Sequence, residues 1–101
     1  SEYLKIQAIA SASHIDCIPH CWGLKINQAV SASLLSTSSE NPGRFEKRAF
    51  YLEMDQTEHP IRDTIFSASH EIKDGCLHFN NLPGLGVSID EQLLDSFKAA
   101  K

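Results

Sequence analysis

The sequence predicts an α/β protein built on parallel strands and continued by a tail of different character. Three observations predict it. Across the first half, apolar residues at helical spacing alternate with short extended runs in the order helix, strand, helix, strand. The two extended runs are separated by a crossover long enough to hold a helix, as parallel pairing requires. The second half contains an Asp-Gly hairpin signal and closes on a capped amphipathic helix.

Residues 2–12 place Tyr3, Ile6, Ile9 and Ala10 on one side of a helix that Ser1 can cap. Ile15–Pro19 is short and mostly apolar and reads as a buried strand, ended by Pro19 where a ladder donor is no longer needed. From Leu24 to about Ser36 the apolar positions Ile26, Ala29, Val30 and Leu34 repeat helically. The Ala and Ser side chains there allow close approach to whatever lies beneath. Residues 37–48, with Pro42-Gly43, read as a loop. Phe50–Met54 is the second strand, with Phe50, Leu52 and Met54 on one face and Tyr51 and Glu53 on the other. Two parallel strands alone expose edges and faces that such sheets bury, so the fold is expected to continue beyond this chain.

In the tail, Glu71–Lys73 and Cys76–Phe79 flank Asp74-Gly75, which suits a type I′ turn. Asn80–Gly86 is a turn-rich connection, and Val87–Ile89 a brief extended piece. Asp90 or Ser88 then caps a helix running to about Ala99, with Leu93, Leu94 and Phe97 on its apolar face. Ser88 and Glu91 have the spacing of a capping box.

The 101 residues suffice for one modest core. An apolar fraction of 42% with 22% charged residues is ordinary for a folded globular chain and argues against disorder. A net charge of −4 with scattered basic residues argues against nucleic acid as a partner. No apolar run approaches the ~20 residues of a membrane span, and the start lacks a signal-peptide pattern. Three cysteines without a framework rhythm fit a reducing compartment, and a cytoplasmic location is expected.

Catalytic side chains in parallel α/β proteins project from the carboxyl ends of strands. His20 directly follows the first strand, and Glu53 ends the second. A histidine can take and return a proton near neutrality, and a nearby carboxyl group can hydrogen-bond an oxygen that gains charge. On spacing alone the pair is weak evidence, and a structural histidine with a solvated glutamate is the better-supported reading. Cys17, His20 and Cys21 lack a second ligand pair at structural-zinc spacing, and the two cysteines read as core residues. His14 sits at a helix end, where a cation is favourable. His59, His70 and His78 read as surface or hairpin residues. Pro83–Gly86 lacks the lysine and following helix of a phosphate loop.

The run Ile18-Pro19-His20-Cys21-Trp22-Gly23 resembles the Pro-His-x-Trp-Gly stretch ending the seventh barrel strand of mandelate racemase-type enzymes in the enolase superfamily. Tyr51-Leu52-Glu53 is similar to the Leu-Glu that ends the eighth. His59-Pro60-Ile61-Arg62-Asp63, Asp74-Gly75 and Leu82–Val87 with Asp90-Glu91 resemble that family's tail. The likeness covers nearly the whole chain in order. It implies the carboxy-terminal portion of a modified (β/α)7β TIM-type barrel. Residues 1–57 would supply the last helix-strand-helix-strand units, and residues 58–101 a tail whose hairpin and terminal helix pack on the capping domain. An apparent insertion around Thr37–Arg48 departs from the family pattern.

By this resemblance His20 is the general acid or base, Glu53 hydrogen-bonds the charge-bearing carboxylate oxygen, and Trp22 lines the substrate pocket. The family removes the proton α to a carboxylate and uses Mg²⁺, whose ligands are expected outside this chain. The implied partners are the remainder of the barrel and cap, as a separate or nicked chain, and a small-molecule carboxylate. A homo-oligomer of the assembled enzyme is expected. An acid-sugar dehydratase is the leading activity, with a racemase or epimerase of a 2-hydroxy acid as alternative. A non-catalytic structural module is the reading for a chain that occurs alone.

Overall fold

The computed structural model describes residues 1–38, 50–67, 70–79 and 82–98. The elements run α1 (Glu2–Ala12), α2 (Lys25–Leu35), α3 (Pro60–Thr64), β1 (Phe66–Ser67), β2 (His70–Lys73), β3 (Cys76–Phe79), β4 (Ser88–Ile89) and α4 (Glu91–Ser96). The radius of gyration is 16.2 Å, against about 13 Å for a compact domain of this length. No helix among the described residues is long and apolar enough to cross a membrane.

Helix α1 has the predicted span, but Ser1 makes no side-chain cap and none of its residues is buried. Its apolar side chains Leu4, Ile6 and Ile9 all face out. It ends where His14 enters the left-handed region at φ 57°, so that Ile15 N–H reaches back to the Ala10 carbonyl at 2.9 Å. Contact with the rest of the chain is polar: Tyr3 Oη donates to the Cys17 carbonyl at 3.1 Å, and Thr37 Oγ1 donates to Gln7 Oε1 at 3.3 Å.

Helix α2 also has the predicted extent, but a different face is inward. It buries Gln28, Ala29, Ser31, Ala32 and Leu35, while Ile26 is exposed and Val30 and Leu34 are half-buried. The small side chains allow the close approach expected of them, and apolarity alone misjudged which stripe faces the neighbour. The expected strands over Ile15–Pro19 and Phe50–Met54 are not formed: neither segment has a paired ladder among the described residues. A strand is defined by backbone partners, and none of the described segments pairs with these two. Most of the predicted 37–48 loop lies outside the described residues.

The tail carries two short antiparallel sheets, β1 with β4 and β2 with β3. The β2–β3 hairpin turns on Asp74 and Gly75, at φ 53° and 73°, as a type I′ turn requires. Asp90 is the cap of α4, its side chain accepting from Leu93 N at 2.9 Å, and the helix ends at Ser96 rather than near Ala99. Short α3 and the two-residue β1 were not foreseen. His59, read from sequence as a surface or hairpin residue, caps α3 by accepting from Arg62 N at 3.2 Å, with Pro60 as the first helical residue. Ile65 and Phe66, between α3 and β4, join Cys21, Ala29, Ala32 and Leu35 as the buried apolar residues.

Candidate active site

His20 and Glu53 meet. His20 Nδ1 lies 3.0 Å from Glu53 Oε2, although 33 residues separate them. The same carboxylate oxygen accepts from Cys21 N at 3.2 Å. The sequence order explains why both contacts fall on one residue: His20 and Cys21 end one segment, and Glu53 projects from the adjacent one. Both side chains remain open to solvent, His20 at 78% and Glu53 at 43%. Trp22 is exposed, and its carbonyl accepts from Asn27 Nδ2 at 3.0 Å, which ties the site to the start of α2.

Beside this pair the structure reveals a second tie. Glu53 and Asp55 are two apart on one segment: Glu53 accepts the Cys21 amide, and the Gly23 amide is close enough to the Asp55 carboxylate to favour its charged form. Gly23 sits at φ +100°, a conformation that a side chain would strain.

Asp55 is buried and further accepts from Thr57 N at 2.8 Å and Thr57 Oγ1 at 2.6 Å. Its Oδ2 forms an ion pair with Arg62 Nη1 at 2.9 Å and no well-formed hydrogen bond. Arg62 is itself buried and uses its whole fork. Nη1 donates to the Asp55 carbonyl at 3.3 Å, Nη2 to the Thr57 carbonyl, and Nε to Asp63 Oδ1 at 2.8 Å. Sequence reasoning overlooked Asp55. Arg62 entered only as part of a family motif. The available signal was the Glu-x-Asp spacing, which puts two acids two apart on one short run.

Cys21 is fully buried, and that burial pushes its thiol above the usual range, tempered by a hydrogen bond with Ser31 and reinforced by Glu53 and Asp55. It is a packing residue beside the site and not a nucleophile. Among the described residues no three His, Cys, Asp or Glu side chains gather as a metal site. A cleft lined by Lys25, Gln28, Thr57, Arg62 and His70 borders the Asp55–Arg62 pair but includes neither His20 nor Glu53.

The electrostatics predict how stability responds to acid. Hydrogen bonds from Thr57, then Arg62 and the Gly23 amide, hold Asp55 below the ordinary aspartate range. The Arg62 guanidinium, then the His59 amide, does the same for Asp63. Burial, aided by nearby Lys25, lowers His70. In all three the folded state binds protons more weakly than the unfolded one, so stability is present above the unfolded pKa and is lost as pH falls through the folded one. The thermal midpoint is expected to decline as pH drops below about 6.5, where His70 begins to contribute, and more steeply below about 4. Melting curves from pH 8 to pH 3 test this; a midpoint that holds or rises on acidification would contradict it.

A model of the family described as "Enolase C-terminal domain-like" matches residues 1–93. The chain is 26% identical over 98 residues to a D-galactarolactone cycloisomerase of Agrobacterium fabrum (strain C58), covering 97% of this chain and 26% of that protein. It is also similar to the crystal structure of the 3,6-anhydro-D-galactonate cycloisomerase from Zobellia galactanivorans. That match has TM-score 0.73 and 29% identity, over 93% of this chain and 24% of that one. The chain therefore spans about a quarter of the length of these relatives.

Proposed function

Because this chain belongs to the enolase superfamily, as an enolase C-terminal domain-like member of its mandelate racemase type, we propose that it supplies the proton-transfer end of a sugar-acid enzyme. The observation that carries this reading is the 3.0 Å contact between His20 Nδ1 and Glu53 Oε2 at the ends of two neighbouring segments. Both relatives are cycloisomerases of sugar-acid derivatives by name, which supports that substrate class.

On this reading each atom has a role. With Glu53 accepting at Nδ1, the neutral imidazole carries its proton there and presents a lone pair at Nε2. Nε2 has no hydrogen-bond partner among the described residues and can take a proton from the carbon α to a carboxylate, or return one. Glu53 Oε2 is committed to His20 and Cys21, which leaves Oε1 to face the substrate. Oε1 carrying a proton would donate to the carboxylate oxygen that gains charge as the α-proton leaves. Trp22, two residues beyond His20, would border the substrate.

Loss of the α-proton prepares the expulsion of an oxygen at the β-carbon. In an open acid sugar that oxygen leaves as water, taking the proton that His20 removed from the α-carbon, which is dehydration. In a cyclic one it belongs to the ring, and its expulsion opens the ring to an isomer. Dehydration is the leading reading and cycloisomerisation the second, favoured by the names of the two relatives. Racemisation or epimerisation shares the first step and returns the proton instead.

Magnesium is what the family implies. The described residues do not fit it: Asp55 is paired with Arg62 and Thr57, Glu53 Oε2 is taken up by protein donors, and no cluster of ligands stands among the described residues. No step is therefore routed through a metal here. Its ligands, the rest of a (β/α)7β barrel and a capping domain are proposed to lie outside these residues. On that placement residues 1–57 are barrel units and residues 58–101 the tail packed against the cap.

The test is to incubate the assembled protein with sugar acids and their lactones or anhydro forms in D₂O and follow them by NMR. A 2-keto-3-deoxy acid carrying deuterium at C3, where the enol takes up a solvent proton as it ketonises, supports elimination. Inverted starting material alone would replace dehydration by racemisation. No exchange with any carboxylate of this class would remove the proton-transfer reading and leave a structural module.

A further inference from the structure

We infer that Arg62, in the tail, is a positioning residue for the His20–Glu53 pair, acting through Asp55. This rests on the reading of His20 and Glu53 as the proton-transfer pair, and it adds a residue that touches neither substrate nor reacting atoms.

The chain of contacts is continuous. His20 Nδ1 and Cys21 N converge on Glu53 Oε2, at 3.0 Å and 3.2 Å. Two residues on from Glu53 along the same segment, Asp55 is buried and its Oδ1 accepts from Thr57 N and Thr57 Oγ1, at 2.8 Å and 2.6 Å. Asp55 in turn depends on Arg62. Its Oδ2 has the ion pair with Arg62 Nη1 at 2.9 Å and no other partner among the described residues. The side chains of the pair are 7% and 1% exposed, so water does not replace a lost partner. Arg62 also binds the Asp55 and Thr57 carbonyls, clamping the backbone just beyond Glu53. Asp63 orients the fork from the other side, through Nε at 2.8 Å.

The consequence is that the tail holds the register of the segment carrying Glu53 against the segment carrying His20. These segments have no ladder of their own among the described residues, so the carboxylate ties and their Arg62 anchor set the His20–Glu53 distance. Lysine at 62 keeps the charge but cannot fork to Asp55, Thr57 and Asp63 at once. Glutamine removes the charge as well.

Two readouts report the geometry independently of turnover. The first is the tautomer of His20, read from its ring ¹⁵N shifts at a pH where the ring is neutral. A held Glu53 favours the proton on Nδ1, and a released Glu53 frees it to move to Nε2. The second is hydrogen exchange of the Cys21 amide, which Glu53 protects. The assembled protein is compared with its Arg62→Lys and Arg62→Gln variants, with Lys98→Gln on the exposed Asp95–Lys98 pair as a control.

Arg62→Lys is expected to shift His20 toward the Nε2-H form and to speed Cys21 exchange about tenfold, the equivalent of about 1.4 kcal/mol. Arg62→Gln shifts both further, and kcat falls more than KM changes. Lys98→Gln changes nothing. If Arg62→Gln does not fold, Arg62→Lys decides the matter alone. A folded Arg62→Lys protein with the unchanged tautomer and unchanged Cys21 exchange overturns the positioning role. Loss of the chemistry assigned to His20 appears differently, as an unaltered turnover in a His20 variant whatever Arg62 does.

Discussion

Asparagine in place of His20 is expected to lower kcat of the assembled enzyme by about 10²- to 10⁴-fold, with a much smaller change in KM. The reasoning follows from the atoms. The Asn side chain is close in reach to Nδ1, so it can still donate to Glu53 and leave the Glu53–Cys21 contact in place. What it lacks is a basic nitrogen at the Nε2 position, and with it any means of taking or giving the α-proton. A group used only in the proton-transfer step costs kcat and kcat/KM alike. Glu53→Gln is expected to lose less, on the order of 10²-fold, because an amide can still donate to a charged oxygen while holding Cys21 through its own carbonyl. Formation of product labelled with deuterium at C3 should fall in parallel with turnover in the His20 variant. Unchanged turnover in a folded His20→Asn enzyme would remove the role assigned to this residue.

The parts of this arrangement that were legible are those in which a residue's conformation depends on its near neighbours. Asp74-Gly75 specified its hairpin because positive φ is a local demand, and α1 and α2 were written in helical spacing. His20 and Glu53 were singled out because strand ends are where chemistry collects, and the structure brings the two together. What failed was information that lives in distant partners. Ile15–Pro19 and Phe50–Met54 have the composition of strands, yet a ladder needs a neighbouring backbone that the described residues do not supply. The inward stripe of α2 is set by Ala29, Ser31 and Ala32, whose value is small size and not apolarity. Helix α3 hid behind a histidine cap, a residue outside the usual capping set, although Pro60 marked its first turn. Asp55 looked like one more surface acid. Only the meeting with Arg62, not deducible from spacing, makes it a buried tie.

The same dependence on missing neighbours separates two isoleucines that a sequence treats alike. Ile65 is 1% exposed, and Ile9 is 72% exposed. Ile65 joins α3 to β1, its carbonyl accepts the Asp90 amide at 2.9 Å, and it is one of the two largest fully buried side chains. Truncating it leaves a cavity, so Ile65→Ala is expected to cost about 2–5 kcal/mol in the 101-residue chain and in the assembled protein alike. Ile9→Ala should cost under about 0.5 kcal/mol in the chain alone, because that side chain is already in water. If α1 packs on the rest of a barrel, its apolar side is covered there, and the same substitution should then cost about 2–5 kcal/mol. Denaturant midpoints of both variants, in both forms, make the comparison. A large Ile9 effect confined to the assembled protein supports the barrel placement, since burial alone distinguishes the two contexts. A negligible effect in both would mean that this face of α1 meets solvent, and the proposed arrangement of residues 1–57 as barrel units would fail at its first helix.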